Sequence, residues 1–271
     1  FLITEGSYKE SLIIIADDIN IIGVGHVVLD GVAAEGKGAI INKGDFNRYY
    51  NIECHSISVQ DRNGACIRHE GSNLILDHIY FHDSQQGILT GNNPGVIEIT
   101  DSRFENLGQN GRAHAIYTNG GELYIRNSLV IASKDEGHEI KSRSSITSII
   151  NSTIASLSSK DSRLIDVPAG GVFILKNSTL QQGYNSSNQD SIGYALEENL
   201  YKKNSIHIEK NLILLERKGT NKLIHTQHIE SDIIISGNVI IGENLTQEHE
   251  GNIYINSRKE YGIDKLTNPI K

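Results

Sequence analysis

The sequence predicts an all-β protein, a right-handed parallel β-helix wound from coils of roughly 24–26 residues. Three observations lead there. A short Ile-rich strand, an Asn or Asp and a further apolar residue recur in phase along most of the chain. The composition joins an excess of Ile, Asn and Ser to 26 Gly, with only 3 Pro and neither Met nor Trp, which supplies strand formers and residues that tolerate positive φ. The turn residues do not fall as two-residue hairpin loops, as an antiparallel sandwich would need, and there is no regular Leu template with a helix, as a leucine-rich repeat would need.

Taken in order, residues 19–31 read as two short strands with a glycine corner, and residues 36–45 as the next strand and its loop. The repeat then becomes explicit at Leu74-Ile75-Leu76-Asp77, Ile97-Glu98-Ile99-Thr100-Asp101, Tyr124-Ile125-Arg126-Asn127, Ile149-Ile150-Asn151, Ile174-Leu175-Lys176-Asn177, Ile208-Glu209-Lys210-Asn211 and Ile234-Ile235-Ser236-Gly237-Asn238. From Asx 77 to 101, 127, 151, 177, 211 and 238 the steps are 24, 26, 24, 26, 34 and 27. Asn and Asp accept the left-handed conformation that a one-residue bend between strands requires, and their stacked amides are expected to bond from coil to coil. The long step contains an Asn/Ser/Lys-rich stretch, residues 182–205, expected to be a loop or insertion that leaves the stack and returns. A polar cap is expected from about Lys259, with residues 1–271 forming one domain.

The net charge of −8 offers no basic face for nucleic acid, so a polyanionic ligand would have to meet a local cluster of positive charge. Cys54 and Cys66 are read as two reduced core thiols, with a disulfide as the alternative. No run of eighteen apolar residues is present, so no membrane span is expected. The chain starts at Phe1, not Met, which leaves room for a removed signal peptide and a secreted or periplasmic location.

A second strand in each coil carries the candidate chemistry. Aligned copies are Ala65-Cys66-Ile67-Arg68, Gly87-Ile88-Leu89-Thr90, His114-Ala115-Ile116-Tyr117, His138-Glu139-Ile140-Lys141, Arg163-Leu164-Ile165-Asp166 and Lys222-Leu223-Ile224-His225. The third position is apolar and points inward, so the fourth points outward: Arg68, Thr90, Tyr117, Lys141, Asp166 and His225. The following corner adds Glu70, Asn92, Asn119 and Arg143, and the leading corner adds His114, His138 and Arg163, with Arg112 close by. His114, Tyr117, His138, Lys141, Arg143 and Asp166 are thereby the candidate catalytic residues, and Arg68, Asn92, Arg112 and Arg163 the candidate substrate-binding residues. Strict alternation would turn His114 and His138 inward unless they lie on the bend.

A long solenoid groove suits a polysaccharide, and a cationic cluster suits the carboxylate of an acidic sugar, Arg by bidentate pairing. Neutralising that carboxylate acidifies the adjacent C5 proton, which His138 or His114 would remove, with Tyr117 as acid and Asp166 orienting a His or Lys. Protonation of the leaving oxygen gives β-elimination, and protonation of the opposite face gives C5 epimerisation. Hydrolysis would want two flanking carboxylates, and among Asp166, Glu139, Asp61 and Asp83 no clean pair on adjacent coils stands out. No metal-ligating set and no cofactor motif is read, calcium being left open.

At Asp61-Arg62-Asn63-Gly64-Ala65, Phe81-His82-Asp83 with residues 87–93, Gly137-His138 with Lys141-Ser142-Arg143, residues 165–171 and Gln181-Gln182-Gly183, the chain resembles bacterial right-handed parallel β-helix proteins of the pectin-lyase-like superfamily. The resemblance covers residues 15–200, about two thirds of the chain, and implies the fold. It also implies a place in a superfamily that includes polysaccharide lyases, uronate epimerases, glycosidases, esterases and phage tailspikes. A calcium-binding Asp cluster of the pectate-lyase kind is missing. The expectation carried forward is an enzyme that modifies an acidic polysaccharide, with glycan binding alone as the alternative and glycoside hydrolysis third.

Overall fold

A computed structural model describes residues 1–227 and 232–269. The chain winds into a parallel β-solenoid of about nine turns with about 26 residues per turn, and its one helix among the described residues is Arg258–Tyr261. Nine strands, one per turn, stack as one sheet: Leu12–Ile14, Gly38–Asn42, Ala65–His69, Gln86–Asn92, Ile116–Asn119, Ile140–Ser142, Ile165–Val167, Asp190–Tyr194 and Lys222–Thr226. A 19-stranded sheet closes the rest of the wall, most turns giving it a pair of strands such as Glu122–Arg126 and Leu129–Ile131.

Identical positions in successive turns face each other, so the core is a set of vertical columns. Ile40, Ile67, Ile88, Ile116, Ile140, Ile165, Ile192 and Ile224 form one. Tyr49, Leu76, Ile99, Ile125, Ile149, Leu175, Ile208 and Ile235 form a second. Leu29, Cys54, Phe81, Phe104, Val130, Ile154, Leu180, Ile213 and Ile240 form a third. Branched aliphatic side chains suit this arrangement because their restricted χ1 lets one rotamer repeat along the stack.

The bend between paired strands is left-handed, as expected, at Asp101, Asn127, Asn151 and Asn177. At three copies the bend falls one residue from the expected Asx. His78 takes it instead of Asp77, Lys210 instead of Asn211, and Gly237 instead of Asn238. The bonding column is made by the residue after the bend. The backbone N–H groups of Ser102, Ser128 and Ser152 donate to the hydroxyls of Ser128, Ser152 and Ser178, each at 3.1 Å. The N–H groups of Ser178, Asn211 and Asn238 continue onto the amide oxygens of Asn211, Asn238 and Asn252 at 2.9, 2.9 and 3.0 Å. Each residue thus satisfies a buried donor on its neighbouring turn.

Two expectations need correction. Residues 182–205 contain a full rung, Asp190–Tyr194, whose Ile192 stacks between Ile165 and Ile224, so only residues 195–204 leave the wall. Cys54 and Cys66 are joined as a disulfide, with Cα atoms 5.8 Å apart, inside the range that bridging allows. Cys54 points inward from one sheet, and Cys66 sits at the corner where the other sheet begins. The C-terminal segment sets its short helix against the last two strands, Val239–Gly242 and Ile253–Ile255. Its short helix is capped by Ser257 and held by Arg258 to Glu216 at 2.8 Å, and the tail then runs back to Arg103, which donates to Asn268 at 2.6 Å and to the Pro269 carbonyl at 3.0 Å. Residues 270 and 271 of the expected cap lie outside the described residues.

Replacing Ser152 by Ala removes the acceptor for the Ser128 N–H and leaves a buried donor unpaired, at a cost of about 1–3 kcal/mol. Urea unfolding of Ser152→Ala should show a lower midpoint at an unchanged slope, while Thr153→Ser at a half-exposed neighbour should stay within about 0.5 kcal/mol of wild type.

Candidate functional site

The outward column of the nine-stranded sheet is in register as Arg68, Leu89, Tyr117, Lys141, Asp166, Gly193 and His225. Two members differ from expectation. Ile88, not Leu89, stacks on Ile67, so Leu89 takes the place assigned to Thr90. The rung hidden in the 182–205 stretch inserts Gly193 between Asp166 and His225. A Cβ at residue 193 would meet Asp166 Oδ1 at 2.6 Å and Arg163 Nε at 3.1 Å, so the glycine leaves room for those two side chains.

Tyr117, Lys141 and Asp166 come together on three consecutive rungs. Asp166 is buried and central: its Oδ2 lies 3.3 Å from Lys141 Nζ and 3.7 Å from His138 Nε2, and its Oδ1 lies 3.7 Å from Arg163 Nη1. On the next rung Asp190 faces the same guanidinium, its Oδ2 lying 3.5 Å from Arg163 Nη2 and 3.0 Å from His225 Nδ1. Two aspartates on adjacent turns are therefore present, contrary to the sequence reading, and Arg163 bridges them.

His114 and His138 do not open onto this face. Their rings stack at 4.8 Å behind it, and His114 meets the Tyr117 ring edge-on at 5.5 Å. His114 Nδ1 accepts the His138 N–H, and His138 Nδ1 accepts the Arg163 N–H, each at 3.1 Å. Burial pushes His138 down to about 4 and His114 well below its ordinary range, so both imidazoles are neutral near pH 7. Glu139 also leaves the groove, being wholly buried beside Asp161. Ser133 donates its N–H to Glu139 at 3.1 Å, and the hydroxyls of Ser156 and Ser186 donate to Asp161 at 2.6 and 2.5 Å. Desolvation raises the carboxyl pKa of both members of this pair.

The excursion at 195–204 supplies the side chains that sequence reasoning missed. Glu197 accepts from Lys141 Nζ at 2.9 Å and also from Arg143, while Glu198 accepts from Arg143 Nη1 at 2.9 Å. Tyr201 donates its hydroxyl to the Arg143 carbonyl at 2.6 Å. The expected cationic groove is thus internally compensated: Lys141, Arg143 and Arg163 stand against Asp166, Asp190, Glu197 and Glu198. The one available sequence signal was the acidic pair in an otherwise Asn/Ser/Lys-rich stretch.

Beside Arg143 an open groove of about 460 Å³ is lined by Asn92, Asn93, Asn119, Arg143, Glu198 and Tyr201, with Asn119 donating to Asn92 at 2.5 Å. Of the remaining candidates, Arg68 lies two rungs before Tyr117 with Nε 3.5 Å from Glu70, and Arg112 is exposed on the turn between Gln109 and Ala113. No family model, curated protein or solved structure matches this chain.

The two buried titrating sets give opposite pH slopes. Folded His138 binds a proton less readily than unfolded His, so its contribution is complete above about pH 6.5 and is lost as the pH falls toward 4. His138→Gln should flatten that acid limb in thermal melts. Glu139 and Asp161 bind protons more readily when folded, so their contribution is complete below the ordinary carboxylate range and is lost as the pH rises through their raised pKa values, about 6 for Asp161. Glu139→Gln should accordingly raise the melting temperature at pH 8 relative to pH 4; an unchanged difference would show that the pair does not titrate in this way.

Proposed function

We propose that the outer face of the nine-stranded sheet engages an acidic polysaccharide, with the Asn92–Asn119–Arg143–Tyr201 groove as a sugar subsite and the Tyr117–Lys141–Asp166 column beside it. The observation that carries the reading is the in-register convergence of Tyr117 and Lys141 with Arg143 at the rim of that groove. Amides, a tyrosine and a guanidinium are the donors and flat surfaces that hold hydroxyl-rich rings. Glu197 supports an acidic sugar in particular, because its carboxylate already lies between Lys141 and Arg143, where a uronate carboxylate would bind. The Cys54–Cys66 disulfide agrees with a secreted or periplasmic setting.

Proton abstraction at uronate C5 is the reaction this column can perform. With the Nδ1 atoms of His114 and His138 engaged by backbone amides, the proton-transferring role passes to Tyr117, whose hydroxyl receives a hydrogen bond from Arg143 Nε at 3.3 Å. Tyr117, ionised and held by Arg143, takes the C5 proton; the C5–H electron pair forms the C4–C5 double bond as the C4–O bond breaks, and the phenol so formed passes that proton to the departing oxygen. Alternatively a proton returns to the opposite face. Binding without catalysis is the second reading, favoured by the pairing of Lys141, Arg143 and Arg163 with carboxylates of the same chain.

A binding panel of uronate and neutral polysaccharides, read by calorimetry and by absorbance of newly formed unsaturated ends, tests both. Arg143→Ala should weaken uronate-glycan binding at least about tenfold, since a charge-assisted hydrogen bond contributes about 1.5–3 kcal/mol. Glu197→Gln should tighten it severalfold by removing the internal competitor. Tyr117→Phe should leave binding intact and abolish any unsaturated product. Equal binding of all panel members by wild type and Arg143→Ala would overturn the proposal.

A further inference from the structure

We propose that Glu53, His55 and His82 form a site for one divalent transition-metal ion of the zinc type, on the 19-stranded sheet and independent of the saccharide reading. The strands Glu53–His55 and Tyr80–His82 are adjacent rungs in register, Glu53 opposite Tyr80, Cys54 opposite Phe81 and His55 opposite His82. Cys54 and Phe81 point into the core, so the residues on either side of each point outward. The two imidazoles therefore lie one above the other, centroids 5.0 Å apart, with the Glu53 carboxylate beside them. One ligand atom from each of the three residues lies within 4.8 Å of the others. Glu53 Oε1 and His82 Nε2 are 3.1 Å apart, close to the separation of about 3.3 Å between donors bonded to a tetrahedral zinc at about 2.0–2.1 Å. The side chains of His55 and Glu53 are 25% and 17% exposed, which gives them room to close the remaining distance.

The surroundings are those that orient metal ligands. His82 Nδ1 is paired with Asp83 Oδ2 at 2.6 Å, which leaves its Nε2 facing Glu53, and Asp83 is itself held by Asn106. His55 Nδ1 is flanked by Ser56 Oγ at 2.8 Å and Asp30 Oδ1 at 3.4 Å. His26 Nε2 lies 2.8 Å from the other oxygen of Glu53, Oε2. Two imidazole nitrogens and one carboxylate oxygen suit Zn²⁺, Co²⁺ or Fe²⁺ and are a poor set for Ca²⁺ or Mg²⁺, which take six or more oxygens. Three protein ligands leave a coordination position for water or an exogenous ligand.

The test uses untagged full-length protein stripped with EDTA, titrated with Zn²⁺ by calorimetry and with Co²⁺ by visible absorption. One equivalent should bind, with intense d–d bands of low coordination number. His55→Ala and Glu53→Gln should each weaken uptake by at least about 100-fold, and Asp83→Asn, acting through the orientation of His82, by about 10- to 100-fold. His78→Ala, in the separate exposed group Asp77–His78–Asp101, should change nothing. His55 is half-buried, so its variant keeps the test valid should a His82 variant fail to fold. Absence of stoichiometric uptake, uptake that survives both His55→Ala and Glu53→Gln, or uptake lost in His78→Ala would each overturn the site.

Discussion

Every bend of this solenoid has to find partners for its main-chain polar groups one turn away, and the rest of the structure depends on how that is done. From Asp101 onward the left-handed residue turns the chain and the residue after it supplies a side-chain oxygen to the N–H of the turn before, the first such donor being Ile79 after the His78 bend. Serine does this through Ser102, Ser128, Ser152 and Ser178, and asparagine takes over at Asn211, Asn238 and Asn252, where the amide reaches both a neighbouring amide and a carbonyl. With that spine in place, the three apolar columns fall into register without further instruction.

The same stacking sets the electrostatics of the outer face. Rungs about 4.8 Å apart bring outward side chains close enough that unpaired like charges would repel strongly. Lys141 followed by Asp166, with Arg163 between two aspartates, is the arrangement that such spacing tolerates. Arg143 lies at the edge of the column and draws its counter-charges from the excursion, Glu197 and Glu198, so the loop is part of the site's charge balance. A ligand carboxylate entering here exchanges one anion for another, a smaller change in energy than filling a naked cationic cleft.

The repeat was legible because its columns are periodic: an inward Ile at the third position of the second strand and an Asx near each bend identify the coil from single residues. Register was less legible wherever two apolar residues adjoin. Ile88-Leu89 allows two alignments, and only the packing of Ile88 on Ile67 decides between them. The rung at Asp190–Tyr194 was masked by its polar flanks, although its single Ile occupies the core column. The disulfide was not legible, since Cys54 and Cys66 meet only when the wall turns a corner between sheets. Of the candidate site, Tyr117, Lys141, Arg143 and Asp166 were readable by alternation. The fate of His114 and His138 was not, because alternation fails at the corner and their partners are backbone amides of the next turn. His55 and His82, one coil apart in sequence, carried a periodic signal of their own that the bend pattern overshadowed.

A solenoid whose rungs touch only their neighbours behaves as a zipper, and its free end is where force would open it. Here the chain past Tyr261 doubles back along the outside, and Asn268 grips both Arg103 and Glu105 on a rung many turns earlier. Tension applied at the C-terminus would load that clasp before it reached the last rung, and the final turns would then share the load with the middle of the stack. A few exposed polar contacts give a one-dimensional array a link between distant members, and with it a mechanical threshold that rung-by-rung stacking alone does not provide.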